Sequence, residues 1–161
     1  MNLQDEFKKS LGHFPSGVTV VTYKIGDEFG GVTVSSFTSL SLDPPLVLFS
    51  IIKNTQSHEK LSLAESYAVH ILSSSQKDIS NGFASAKTDK NELLRTLKPE
   101  LIEGAPVFSG AQSVLVCRKE HLYDGGDHTI FVSCVISAST DESKSPILYF
   151  NRNYHSLGGT L

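Results

Sequence analysis

The 161-residue chain has no tryptophan, one methionine and two cysteines, and it carries no block of like charge. Lysine and arginine number 14 against 17 acidic residues, a net charge of −3. With the charges dispersed, nothing marks a nucleic-acid groove. No apolar run approaches the roughly 18 residues of a spanning helix, so no membrane segment is expected. Cys117 and Cys134 form no Cys-x-x-Cys pair, which leaves a zinc ribbon or a thioredoxin-type motif without support. They could meet as a disulfide on neighbouring strands, but reduced buried thiols are expected, because the N-terminal residues lack the basic start and apolar segment of an export signal. The expected location is therefore cytoplasmic. The six histidines show no metal-ligand spacing, and no metal site is expected. The Gly-x-Ser-x-Gly elbow, the Gly-x-Gly-x-x-Gly turn and the Walker lysine loop are all missing, as is any internal repeat.

What is present reads as one domain, residues 1–161, rich in short strands. Leu3, Phe7, Leu11 and Phe14 lay an apolar stripe on an opening helix, which Gly12, Pro15 and Gly17 stop. The β-branched run from Val18 to Tyr23 is a strand, Gly26-Asp27 a turn, and Phe29 to Ser36 the returning partner. Leu46 to Ile52, apolar at nearly every position, predicts a strand buried on both faces. Ser57 is expected to cap a short helix, and Ser75 to Asp78 has the form of a capping box. Tyr67 to Leu72 is a further strand. Lys87 to Glu103 reads as a polar surface excursion with a small helix at Leu93, Leu94 and Leu97. Val114 to Cys117 and Thr129 to Ile136 are strands on either side of the turn-rich Asp124 to His128, and Pro146 to Phe150 is the last strand. The pattern predicts a mainly antiparallel β domain, for which closure into a barrel would remove exposed edges.

The segment from Gly30 to Pro45 stands apart. It holds six hydroxyl side chains (Thr33, Ser35, Ser36, Thr38, Ser39 and Ser41), one carboxylate and no positive charge. On composition alone it reads first as strand and turn whose hydroxyls satisfy nearby backbone groups. The competing reading is a strand edge that holds a ligand by neutral hydrogen bonds. His128, aimed by the Gly126-Asp127 turn at the rim of the sheet, is the one local candidate for chemistry, although a histidine satisfying a neighbouring carbonyl is the simpler reading.

Taken in order, Phe14-Pro15-Ser16-Gly17-Val18-Thr19-Val20, Gly31 to Pro45, Phe83-Ala84, Gly104-Ala105-Pro106, Gly126-Asp127-His128-Thr129 and Pro146 to Phe150 resemble the flavin reductase family with an FMN-binding split barrel, the reductase components of two-component flavin monooxygenases. The ordered set favours the ligand-binding reading of Gly30 to Pro45. The resemblance implies a six-stranded antiparallel Greek-key split barrel with a few flanking helices, a homodimer, FMN or FAD as cofactor, NADH or NADPH as hydride donor, and a partner flavin-dependent monooxygenase. It implies that Thr33, Val34, Ser35 and Ser36 line the isoalloxazine edge, with Ser41 of the same stretch also on the cofactor side. Ser50, Ile51, Ile52 and Lys53 would follow the ribityl chain to the phosphate, where Lys53 and Ser57 supply charge and a helix-start donor. Phe83 and Ala84 would pack near the flavin, and His128, Tyr154 and Arg152 would stand on the nicotinamide side, with His128 the catalytic candidate. The chain departs from the family's pattern at Ser133-Cys134, where glycine is frequent, and at Lys53-Asn54-Thr55, where arginine and serine are common. The second departure leaves FMN against FAD open. An FMN-binding electron carrier or binding protein on the same scaffold, without nicotinamide-dependent activity, is the alternative function.

Overall fold

The computed structural model describes residues 2–161; Met1, the first residue of the expected single-domain span, lies outside them. The chain opens with helix α1 (Leu3–Gly12), capped where the Asp5 N–H donates to Asn2 Oδ1 at 3.0 Å. Then come β1 (Ser16–Gly17), β2 (Thr19–Ile25), β3 (Glu28–Val34), β4 (Thr38–Leu42), β5 (Pro45–Ile52), α2 (Gln56–Leu63) and β6 (Ser66–Ile71). The helices α3 (Lys77–Ala84) and α4 (Lys90–Thr96) follow, with the small hairpin β7 (Glu100–Ile102) and β8 (Ala105–Val107). The chain ends in the long strands β9 (Ser113–Gly125) and β10 (His128–Thr140) and the hairpin of β11 (Ile147–Phe150) and β12 (Asn153–Ser156).

The main sheet is antiparallel throughout, in the order β3-β2-β6-β9-β10-β5-β4. It therefore has seven strands where six were expected. The extra one is β4, whose residues are mostly exposed; the later part of the hydroxyl-rich segment pairs along β5, Thr38 opposite Leu48. No backbone ladder joins the end strands β3 and β4 among the described residues, so the sheet is not closed by backbone pairing. The side chain of Ser36 reaches across near this break. Its Oγ accepts from Ser50 N–H at 2.9 Å and donates to Ser50 O at 3.1 Å, tying the chain just past β3 to β5.

Alternation along β2 sends side chains to two cores. Val21 and Tyr23 join Val34, Phe49, Ile51, Leu61, Tyr67 and Phe131 on one face of the sheet. Phe49 and Phe131 stack there with centroids 5.3 Å apart. Val18 and Val20 point the other way, to Leu72, Phe83, Leu94, Phe108 and Ile147. The polar 87–103 segment is mostly exposed and holds the expected small helix, anchored by the fully buried Leu94 with Leu93 and Leu97 packed beside it. In β5 only Val47, Phe49 and Ile51 are buried; the strand fills one face, not both, because its other side meets only partly covered neighbours.

Three local expectations are corrected. Helix α2 is capped by Thr55, whose Oγ1 accepts from His58 N–H at 3.2 Å, and Ser57 lies inside the helix. The capping box at Ser75 does not form; the carboxamide of Gln76 turns back and accepts from Ser73 N–H instead. Finally, the tail after Phe150 is a strand, because Asn151 and Arg152, both at positive φ, make the two-residue turn that returns β12 along β11. The cysteines are both free: Cys117 faces Val135 and Cys134 faces Arg118 across the β9–β10 ladder, and burial pushes the Cys117 thiol up to about 12.

Candidate active site

Two cavities lie side by side at the open edge of the sheet. The larger, ≈ 820 Å³, is walled by the end of β3 and the residues after it, by the end of β5, by the start of α2 and by the segment leading into α4. The smaller, ≈ 300 Å³, lies between β3, α3 and the β11–β12 hairpin. Thr33, Ser35 and Ala84 line both, so the two spaces adjoin along these residues.

This shared lining is rigid for reasons that start at glycine. A Cβ on Gly31 would come within 2.6 Å of the Phe83 ring, and one on Gly30 within 2.4 Å of the Tyr23 ring. Bare backbone at these positions lets β3 lie directly on two aromatic rings. Phe83 is fully buried beneath Gly31, so it supports the cavity floor without facing the space. Ala84, next in sequence, faces both cavities.

The structure thus gathers Thr33, Val34, Ser35, Ser36, Ser50, Ile51, Ile52, Ser57, Ala84 and His128 around the larger cavity, and Arg152 and Tyr154 around the smaller. It places His128 at the larger cavity and Tyr154 and Arg152 at the smaller, where the family resemblance put all three on the nicotinamide side. Ser41 lies on β4 and lines neither cavity. Lys53 lines neither as well: its ammonium is engaged by the β9–β10 turn, through Asp124 and through Gly126 O at 2.6 Å.

The hydroxyls are also less available than their number suggests. Thr33 Oγ1 donates to Ser80 O at 2.7 Å, and the Ser36 hydroxyl is spent on Ser50. That leaves the Ser35 side chain and the backbone beyond the last β3 rung, Val34 opposite Thr19, to meet a ligand with neutral groups. Cationic groups come from α2 and from the segment leading into α4, neither of which the sequence marked as cationic at the site. Lys60, Lys87 and Lys90 line the same cavity, with Thr55 and Gln56 at the start of α2. Lys60 is paired with Glu28 at 2.7 Å. Lys90 has no carboxylate partner among the described residues and reaches Ser57 Oγ at 3.5 Å; partial burial holds its ammonium below the usual lysine range. The start of a helix and an unpaired half-buried lysine together favour an anion.

Tyr154 is fixed from α3. Its hydroxyl pairs with Ser80 Oγ at 2.7 Å and donates to Asn81 Oδ1 at 3.0 Å, while Tyr149 meets its ring edge-on with centroids 5.3 Å apart. Arg152, exposed at positive φ in the turn, completes the rim. His128 is the first residue of β10, opposite Ile52 of β5, and its Nδ1 lies 2.7 Å from Asp127 Oδ1. A carboxylate only accepts, so Nδ1 carries the proton and Nε2 is the ring nitrogen not taken by that bond. The same contact holds the Asp127 carboxyl below the usual range. Among the described residues no group of three or more His, Cys, Asp or Glu gathers as a metal centre.

The family model described as the flavin reductase like domain matches residues 11–158 of this chain. An NADH-dependent FMN reductase of Agrobacterium fabrum is 41% identical over 134 residues, covering 83% of this chain and 75% of that protein. The reductase component of 4-hydroxyphenylacetate 3-monooxygenase from Thermus thermophilus is 36% identical over 155 residues, covering 96% of this chain and 97% of the relative. A solved structure of NADH:FAD oxidoreductase from Streptomyces globisporus, in complex with NAD and FAD fragments, superposes with a TM-score of 0.88 at 36% identity, covering 97% of this chain and 93% of that one.

Proposed function

The chain belongs to the flavin reductase like domain family, and on that premise we propose that it oxidises NADH and reduces FMN or FAD, supplying reduced flavin to a partner monooxygenase. The observation that carries this reading is the pair of adjoining cavities with Thr33, Ser35 and Ala84 as their shared lining. The larger space has room for a flavin, and the smaller adjoins it along the shared residues, so that a nicotinamide ring placed there meets the flavin directly, as hydride transfer requires.

The residues present fit a flavin. The β3 end offers neutral donors and no carboxylate, and the far end of the same cavity offers the α2 start, Ser57 and Lys90 for a phosphate. When bound, the flavin supplies the hydride acceptor, and no protein nucleophile is required. The chain's own task is placement. Backbone at Ser35 and Ser36 orients the ring edge, Lys90 and Ser57 hold the phosphate end, and Phe83 beneath Gly31 keeps the shared lining from yielding. His128 stands at the rim of the larger cavity with Nε2 as a hydrogen-bond acceptor, while Tyr154 and Arg152 shape the second space. The protein works as a single domain, as a homodimer, and in the cytoplasm, where its two free thiols stay reduced. The curled sheet with its Ser36–Ser50 bridge is read as the family's split barrel. No described helix is long and apolar enough to cross a membrane.

The test is anaerobic mixing of the purified protein with NADH or NADPH in the presence of FMN, FAD or riboflavin. NADH oxidation with stoichiometric flavin reduction is expected. No oxidation in any combination overturns the reading.

A further inference from the structure

We propose that Lys53 is a positioning residue for His128, acting through the β9–β10 turn, and not an anion-binding group of the cavity; this rests on the flavin reductase reading above. Lys53 directly follows β5. Its backbone N–H donates to Asp127 O at 2.9 Å, one step beyond the rung that pairs Ile52 with His128. Its Nζ donates to Gly126 O at 2.6 Å and forms an ion pair with the Asp124 carboxylate. One residue therefore holds three members of the turn that precedes His128.

The turn needs such a hold. Gly126 sits at φ +75, a conformation that glycine adopts at no steric cost, so nothing in its own side chain fixes it. Asp124 and Asp127 bring two carboxylates to one exposed tip, and His128 is bonded to only the second of them. Lys53 neutralises the first and lowers the range of both. Its side chain is 31% exposed, so the ammonium is partly withdrawn from water, with two oxygens as partners. With the Gly126 carbonyl and the Asp127 carbonyl both held, the Asp127 carboxylate meets Nδ1 of His128 in a fixed direction and the ring stands at the rim of the larger cavity. Removing the Lys53 side chain leaves the sheet intact and frees the tip. A misplacement of about 1 Å at a reacting group can cost about a hundredfold in rate.

Lys53→Met and Asp124→Asn, singly and together, test this in the full chain. Flavin dissociation constants are read by fluorescence titration, and kcat by NADH oxidation at saturating flavin. The expected result for Lys53→Met is a flavin constant within about twofold of wild type and a kcat lower by about tenfold. Asp124→Asn moves kcat in the same direction, and the double variant is no worse than the poorer single one, as for two parts of one device. His128→Asn lowers kcat at least as far. The proposal is overturned if Lys53→Met weakens flavin binding tenfold or more with kcat preserved, if the two losses multiply in the double variant, or if His128→Asn leaves kcat unchanged. A wild-type chain inert with every flavin fails the functional reading itself; an active wild type matched by Lys53→Met fails the positioning role alone.

Discussion

Lys90 differs from Lys60 at the same cavity in what it lacks: Lys60 is committed to Glu28, whereas Lys90 is half buried against Ser57 with no carboxylate partner among the described residues. A lysine held in that state is stabilised by an arriving phosphate. Hydrogen bonds to charged groups contribute about 1.5–3 kcal/mol, so Lys90→Met should weaken FMN binding by about tenfold or more. Riboflavin, which has no phosphate, should bind the variant and wild type alike; equal losses for both ligands would refute the assignment. His70 makes a different kind of residue-level statement. Its ring is fully buried and stacked on Phe108 at 3.8 Å, its Nδ1 lies 3.2 Å from Val20 O, and its Nε2 accepts from Phe108 N–H at 3.2 Å. The neutral Nδ1–H form satisfies both contacts, and a second proton would set two donors against each other. Burial lowers the group from 6.5 to about 4. The folded state therefore prefers the neutral ring, its full contribution is present above the unfolded value, and stability falls as pH drops from 6.5 towards 4. At pH 5 the loss from this group is about 2 kcal/mol. Urea unfolding near neutrality and at pH 5 reads it, and His70→Gln, though less stable throughout, should lack that part of the slope.

At the scale of elements, β3 shows how much of the site depends on side chains that are not there. Gly31→Ala would drive a methyl into the Phe83 ring, with Val21 O only 3.3 Å away on the backbone side. Overpacking of this kind costs about 1–3 kcal/mol, which lowers the thermal midpoint by about 2–4 °C per kcal/mol for a chain of this size. Because Phe83 supports the lining shared by the cavities, flavin affinity should fall as well; a variant with a wild-type midpoint and affinity would show that this lining yields freely. The β2–β3 hairpin, β5, β6 and the first helix were legible because their β-branched runs or their spacing match one periodicity. The outer half of β9 was not. Arg118 to Tyr123 is polar and mostly exposed, and what makes it strand is pairing along β10, from Ser133 opposite Lys119 to Ile130 opposite Tyr123. Strand β12 was missed because its turn uses Asn151 and Arg152 at positive φ, where glycine would have signalled it. The site divides in the same way. Thr33 to Ser36 and Ser50 to Ile52, named for the cofactor only through the family resemblance, line the larger cavity together. Lys87 to Asn91 was not named, because only the docking of α4, with Asn91 Oδ1 accepting from Phe29 N–H at 2.9 Å, brings it to the cavity.

For the molecule as a whole, α1 poses the clearest question of assembly. The stripe of Leu3, Phe7, Leu11 and Phe14 has the spacing of a core-facing helix, yet none of the helix is buried and these side chains are 57–86% exposed. The helix is nonetheless tied down at its end, where Asn151 N–H donates to Gly12 O at 2.7 Å, and His13 lies edge-on to Phe150 at 5.9 Å. It is thus held beside the β11–β12 hairpin that bounds the second cavity, with its apolar side turned to water. Three large apolar side chains on the helix, with Phe14 just past its end, are a surface that association would cover, and Leu42, 94% exposed on the edge strand β4, adds to the apolar surface left uncovered. The proposed homodimer accounts for this at once, since burying such side chains is worth about 1.5–3 kcal/mol each. Sedimentation should therefore give twice the 17.5 kDa chain mass at micromolar concentration. Phe7→Asp with Phe14→Asp should shift the distribution towards monomer without unfolding the sheet, because neither side chain belongs to either core. A wild-type monomer at every concentration would refute the dimer, and a double variant that remains fully dimeric would move the interface away from α1.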